Sequence, residues 1–303
     1  MTDWPRAEHL ARPDPSQSDD GSAGKLVVVG MGPGSPAHLT RAAREAIRAA
    51  DAVYAAPLYQ RFLRADGLLG GETDHAEEGD QPDSEPVVIN SSRRDRRSQA
   101  AATFDRVRDG ETVVHVSGGD PAVYGKSDLL VTLAETHADD EIPIEILPGV
   151  TAALGGAALL GAPLSNDFCT LSLSTARRDR EAIDRKLEAV AGAGFVIALY
   201  NVNRSLGSAL DVIETHRSGS VPVAVLEDVA RGERGRSPTG ETVTVTTLAA
   251  LPEEIDVVTT GTLVVVGTED SRVLRPANGG RPFLVTPRDG SAPLSDGGGE
   301  HGG

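Results

Sequence analysis

Short apolar runs alternate along the chain with stretches whose apolar positions recur every three or four residues. Leu26-Val27-Val28-Val29, Asp51-Ala52-Val53-Tyr54, residues 86–90, Val113-Val114-His115-Val116 and residues 142–147 read as strands. Ala43, Ala46, Ile47 and Ala50 predict a helix over 41–50 with Thr40 as its cap. Residues 59–63, 93–108 and 124–135 complete the helices of this half. A small-residue helix over 151–160 comes next, then strands at 168–174, 195–200, 222–226, 241–246 and 263–266, with helices at 180–190 and 206–215. Strands alternating with helices predict α/β architecture. The expected division is an N-terminal α/β domain over 24–147 and a C-terminal α/β domain over 148–274, the second sheet partly antiparallel. Residues 1–23 and 275–303 show no periodicity and read as a disordered acidic tail and a flexible tail. Residues 66–86, rich in Gly, Asp and Glu, read as a surface insertion.

Composition narrows the functional classes. No run is long and apolar enough for a transmembrane helix, and the polar start lacks the apolar segment of a secretory signal. The expected location is cytoplasmic, with no membrane partner. A single cysteine, Cys169, leaves no internal disulfide and no all-cysteine metal or iron–sulfur site. The net charge of −16 arises with only Lys25, Lys126 and Lys186 as lysines, arginine supplying the remaining positive charge. That balance fits a halophilic protein, whose acidic self-repulsion is screened by salt. It disfavours nucleic acid, which needs a basic face.

Three turns carry the candidate chemistry, each at the end of a strand: Gly30-Met31-Gly32-Pro33-Gly34, Gly118-Gly119-Asp120-Pro121 and Pro148-Gly149-Val150-Thr151-Ala152. In open α/β sheets ligands bind outside the carboxyl ends of the strands. Glycine lets a ligand approach the backbone, Asp120 brings a carboxylate, and Pro121 suits the first turn of a helix. The first turn also resembles a dinucleotide fingerprint, with Asp51 at the distance of a ribose-binding acid. Ser35 stands in place of its last glycine, and Pro33 removes an N–H that would cradle pyrophosphate. A nicotinamide oxidoreductase is therefore one rival reading. Walker, nucleophile-elbow and zincin patterns are absent, and no two histidines have ligand spacing. His115 and Cys169 read as core residues.

Together the three turns, with Leu39-Thr40 after the first, resemble the tetrapyrrole methylases, over roughly residues 24–273. Tyr124-Gly125, Gly161-Ala162-Pro163-Leu164, Asn166-Asp167-Phe168, Ser172-Leu173-Ser174, Ala198-Leu199-Tyr200-Asn201 and Arg204-Ser205 resemble its precorrin-3B C17-methyltransferase (cobalt-factor III methyltransferase) branch. Two stretches depart from that branch. Asn201-Val202 stands where Asn-Pro is expected, and Asp228-Val229-Ala230-Arg231 where Asn-Ala-Gly-Arg is expected. The resemblance implies two α/β domains with the active site in the interdomain cleft. It also implies S-adenosylmethionine as cofactor, C17 methylation of a corrin-ring precursor with ring contraction in cobalamin biosynthesis, and a homodimer. Another corrin-ring methyltransferase of the same family, or an idle tetrapyrrole carrier, is the alternative. The cofactor positions it implies are Pro33, Gly118, Gly119, Asp120, Val123, Thr151, Ala152, Tyr200 and Val229, with no metal and no assigned catalytic base. A corrin precursor is a polyanion, so arginines are needed for its carboxylates. Of two clusters, Arg93, Arg94, Arg96 and Arg97 read as a solvated helix face. Arg231 and Arg234, in the loop after residue 226, are the expected substrate contacts.

Overall fold

The computed structural model describes residues 8–12, 24–70, 85–91, 96–137, 141–176, 178–202, 205–232, 235, 240–254 and 261–288. The chain divides into two compact units, at Ala152/Ala153. The mixed α/β class expected from the alternation of elements is the one observed.

The first unit runs β1 (Leu10–Ala11), β2 (Lys25–Gly30), α1 (Arg41–Arg48), β3 (Ala52–Ala55), α2 (Pro57–Ala65), β4 (Val87–Asn90), α3 (Arg96–Arg108), β5 (Thr112–Ser117), α4 (Ser127–His137) and β6 (Ile142–Leu147). The sheet order is β1-β6-β2-β5-β3-β4, and every pairing is parallel. Parallel strands are covered on both faces, so they read as unbroken apolar runs. Val27, Val29, Val53, Val114 and Val116 pack beneath α1 and α2. Leu26, Val28, Tyr54, Val113 and Ile144 pack beneath α3 and α4. Thr40 does cap α1, its side chain accepting from Ala43 N.

The structure corrects two expectations in this unit. Leu10–Ala11, inside the stretch read as a disordered tail, forms β1 on the open edge of β6, with Ile142 N donating to His9 O. An edge strand offers unpaired N–H and C=O groups that two residues suffice to engage. Pro121 does not open a helix, since α4 begins only at Ser127. Tyr124 has φ 55°, and at Gly125 a Cβ would lie 2.3 Å from the Pro121 carbonyl oxygen. Asp120 instead closes a local turn by accepting from Ala122 N at 2.8 Å.

His115, at the middle of β5, is buried as expected of a core residue. Its ring stacks on Tyr54 with centroids 4.4 Å apart. Nε2 lies 2.8 Å from Thr103 Oγ1, whose only proton goes to the Gln99 carbonyl. The imidazole therefore donates from Nε2. Burial, with Lys126 adding to it, holds the pKa well below the ordinary histidine value. A group depressed in the folded state is protonated first in the unfolded chain. Its stabilising contribution is complete above about pH 6.5 and is lost as pH falls below that value. We expect His115→Gln to flatten the acid limb of stability against pH, followed by denaturant melts from pH 7 to 5. An unchanged limb would assign the acid sensitivity to other groups.

The second unit contains α5 (Ala152–Leu160), β7 (Gly161–Ala162), β8 (Phe168–Ser172), α6 (Arg180–Gly192), β9 (Val196–Tyr200), α7 (Leu206–Glu214), β10 (Pro222–Glu227), β11 (Thr242–Thr247), α8 (Leu251–Glu254), β12 (Thr262–Val266), β13 (Arg272–Leu274) and β14 (Phe283–Val285). Its main sheet has order β11-β10-β12-β9-β8. β8 and β9 are parallel, while β12 runs antiparallel to both its neighbours, as does β11 to β10. This is the partly antiparallel sheet expected from the alternating strands after 168. Gly156 lets α5 lie against that sheet, since a Cβ there would meet Leu263 at 2.8 Å. β14 falls in the segment expected to be a flexible tail. It pairs with β13 and β7, and Leu284 is fully buried.

Arg217 is a buried cation of this unit. Its guanidinium donates to the carbonyls of Val190, Ala191, Phe195 and Gly267. Two of these end α6, where cations are favoured. Burial pushes its pKa down, against the opposing pull of Glu269.

Candidate active site

Strand order decides how the three turns meet. β2 lies between β5 and β6, so the turns at the ends of these strands share one carboxyl edge. Gly32 and Gly119 exchange two backbone hydrogen bonds, at 3.1 and 2.8 Å. Met31 N donates to Ser117 O at 2.8 Å. Gly149 N donates to Asp120 Oδ2 at 3.0 Å, tying the third turn to the second. Gly30 and Gly149 touch: a Cβ on Gly30 would lie 2.6 Å from the Gly149 Cα. The expected positions Pro33, Gly118, Gly119, Asp120, Val123, Thr151 and Ala152 are all in the first unit, on or beside the three turns. Both oxygens of Asp120 accept backbone N–H groups, from Ala122 and Gly149. The carboxylate thus braces two turns and keeps lone pairs for a ligand.

Tyr200 and Val229 lie in the second unit. Tyr200 ends β9, and its hydroxyl accepts from Ala153 N at 2.7 Å, satisfying an open donor at the start of α5. Val229 is buried against Leu226, Leu263 and Ala153. The loop after β10 is conformationally strained. Asp228 and Ala230 have φ of 47° and 57°, and Asn201 after β9 has 52°. Glycine is the residue expected at 230 from the family pattern, and only glycine takes this backbone without cost. Ala230 N is held by Glu241 Oε2 at 2.7 Å, which keeps the loop in place. Arg231 reaches back to the fully buried Asp228, Nη1 to Oδ1 at 2.9 Å. Its guanidinium is therefore first the partner of a buried carboxylate. Arg234, Arg93 and Arg94 lie outside the described residues.

The sequence profile of the tetrapyrrole (corrin/porphyrin) methylases matches residues 25–252. The chain belongs to the tetrapyrrole methylases. A precorrin-3B C(17)-methyltransferase of Sinorhizobium sp is 34% identical over 280 residues, which is 88% of this chain and 96% of that protein. A cobalt-factor III methyltransferase of Priestia megaterium is 33% identical over 257 residues, 82% of this chain; the chain spans only 43% of that longer protein. Among solved structures, the methyltransferase CobJ superposes with a TM-score of 0.69 at 26% identity, over 88% of this chain and 100% of that one.

In this tetrapyrrole methylase the rival dinucleotide reading loses its acid. Asp51 precedes β3, at the amino edge of the sheet, where Oδ2 accepts from Thr112 N at 2.8 Å. The glycine turns are at the opposite edge. A cavity of about 580 Å³ does border Asp51, together with Lys25, Glu45 and Glu145, but none of the three turns lines it. Burial pushes the Cys169 thiol up, with Arg217 opposing, as suits a core side chain and not a nucleophile. The motif reading named the glycine turns without the Gly30–Gly149 contact. It also passed over Tyr59, whose place is set by α2 and has no motif around it.

Proposed function

We propose that this methylase transfers a methyl group from S-adenosylmethionine to a carbon of a corrin-ring precursor, at C17 with ring contraction. The observation that carries the reading is the set of three interlocked turns on one sheet edge. The turns are rich in backbone groups, and Asp120 is the charged residue among Gly30–Gly34, Gly118–Pro121 and Pro148–Ala152. That donor set fits the cofactor: a carboxylate and carbonyls suit a sulfonium and an ammonium, and there is no cation to clamp a phosphate. When bound, S-adenosylmethionine supplies an electrophilic methyl. The chain's part is then alignment of the acceptor carbon with that methyl, which a braced backbone provides without a side-chain nucleophile. Sequence similarity to proteins named for C17 methylation supports the ring position, and so does the run Ala198-Leu199-Tyr200-Asn201. Gly118, Gly119, Asp120, Val123, Thr151, Ala152 and Pro33 are proposed to contact the cofactor, with Tyr200 and Val229. Arg231 and Arg234 are proposed to meet ring carboxylates.

Calorimetry tests this directly. S-adenosylhomocysteine is expected to bind with micromolar affinity, on the order of −8 kcal/mol, and NAD not at all. Labelled S-adenosylmethionine with ring intermediates should give a product heavier by one methyl group. Binding of NAD without any response to S-adenosylhomocysteine would reject the proposal.

A further inference from the structure

We propose that Tyr59 is a further contact residue of this cofactor site, its hydroxyl meeting bound S-adenosylmethionine at the Gly118 turn. The proposal rests on the cofactor reading above and adds a residue that none of the turn motifs contains. Ala55 ends β3, and Pro57 opens α2 directly after it. The first turn of α2 is therefore held at the same carboxyl edge as the three glycine turns. Tyr59 sits in that first turn, and its ring is packed against the core beneath α1 and α2.

The hydroxyl lies against Gly118. A Cβ built on Gly118 would be 1.9 Å from the Tyr59 oxygen. Gly118 is thus bare because the phenol occupies the space of its side chain. The residue is only partly buried, so this oxygen stands at the rim of the edge. Among the described residues it has no hydrogen-bond partner. The charged group of the adjoining turn differs: both oxygens of Asp120 are engaged. At the rim such an oxygen takes its partner from water or from a bound ligand. A phenol both donates and accepts. It can therefore serve the carboxylate or the ammonium of an amino-acid moiety, and the cofactor carries both.

Tyr59→Phe removes one oxygen and keeps the ring that packs. We expect its dissociation constant for S-adenosylhomocysteine to rise about 5- to 10-fold, the loss of one hydrogen bond. Its melting temperature and the ring substrate's KM should stay at wild-type values. Adding S-adenosylhomocysteine to the wild type should also perturb the near-ultraviolet tyrosine spectrum, and that signal should be missing in Tyr59→Phe. Unchanged affinity in the variant overturns the assignment. So does a raised ring KM with unchanged cofactor affinity, which would give the hydroxyl to the ring. A wild type that ignores S-adenosylhomocysteine rejects the cofactor reading itself, and this one with it.

Discussion

Gly149→Ala is expected to lower S-adenosylhomocysteine affinity and methyl transfer by about 100-fold, the effect of a displacement near 1 Å at a positioning site. The added methyl would lie 2.3 Å from the Gly119 carbonyl oxygen and 2.8 Å from the Gly30 Cα. These are backbone atoms and cannot rotate away. The second and third turns must separate, and the 3.0 Å bond from Gly149 N to Asp120 goes with them. The defect comes from space alone, since Gly149 is not among the glycines with positive φ. The cores on both faces of the sheet involve none of these atoms, so far-ultraviolet dichroism should be unchanged. Gly207→Ala in α7 is the control: nothing lies within 4 Å of its new methyl, and it should be neutral in binding. Wild-type affinity in Gly149→Ala would mean that close backbone contact between the turns is not what builds the site.

Arg217→Met should cost about 3 kcal/mol of stability or more, because several buried carbonyls lose their donor together. Methionine keeps the apolar stem and discards the guanidinium. The carbonyls of Val190, Ala191, Phe195 and Gly267 join the end of α6, the start of β9 and the end of β12 through this one side chain. Arg217→Lys should recover only part of the loss, since one ammonium cannot span the planar fork's targets. The melting transition should fall by on the order of 10 °C in Arg217→Met. Tyr59 and the three turns belong to the other unit. Cofactor affinity should therefore persist at temperatures where the variant is still folded. An unshifted melt would show that water replaces the lost donors.

The periodicity of the chain was enough to determine the longer strands and helices and their alternation, because the pattern of apolar positions is written within each element. The apolar runs Leu26–Val29 and Val113–Val116 were consistent with buried strands and proved to be so, and Thr40 caps the helix that begins at Arg41, as its place before the periodic stretch predicted. The three glycine turns were legible as a set, and that set determined the family. The contacts the turns make with one another were not legible. β5 and β6 settle on either side of β2 through pairings between distant segments, and only that order brings Gly32 to Gly119 and Gly149 to Asp120. Side-chain roles came from the same long-range packing. Asp120 became a brace, Arg231 the partner of Asp228, and Pro121 part of a closed turn and no helix. Leu10–Ala11 and Phe283–Val285 looked unpatterned because two or three residues carry no period. Leu10–Ala11 became a strand because the edge of β6 offered open hydrogen-bonding groups, and Phe283–Val285 became one between β13 and β7. Tyr59 belongs to the tertiary structure entirely: no spacing in the sequence relates it to Gly118, and only the fold sets its oxygen in the place of a missing side chain.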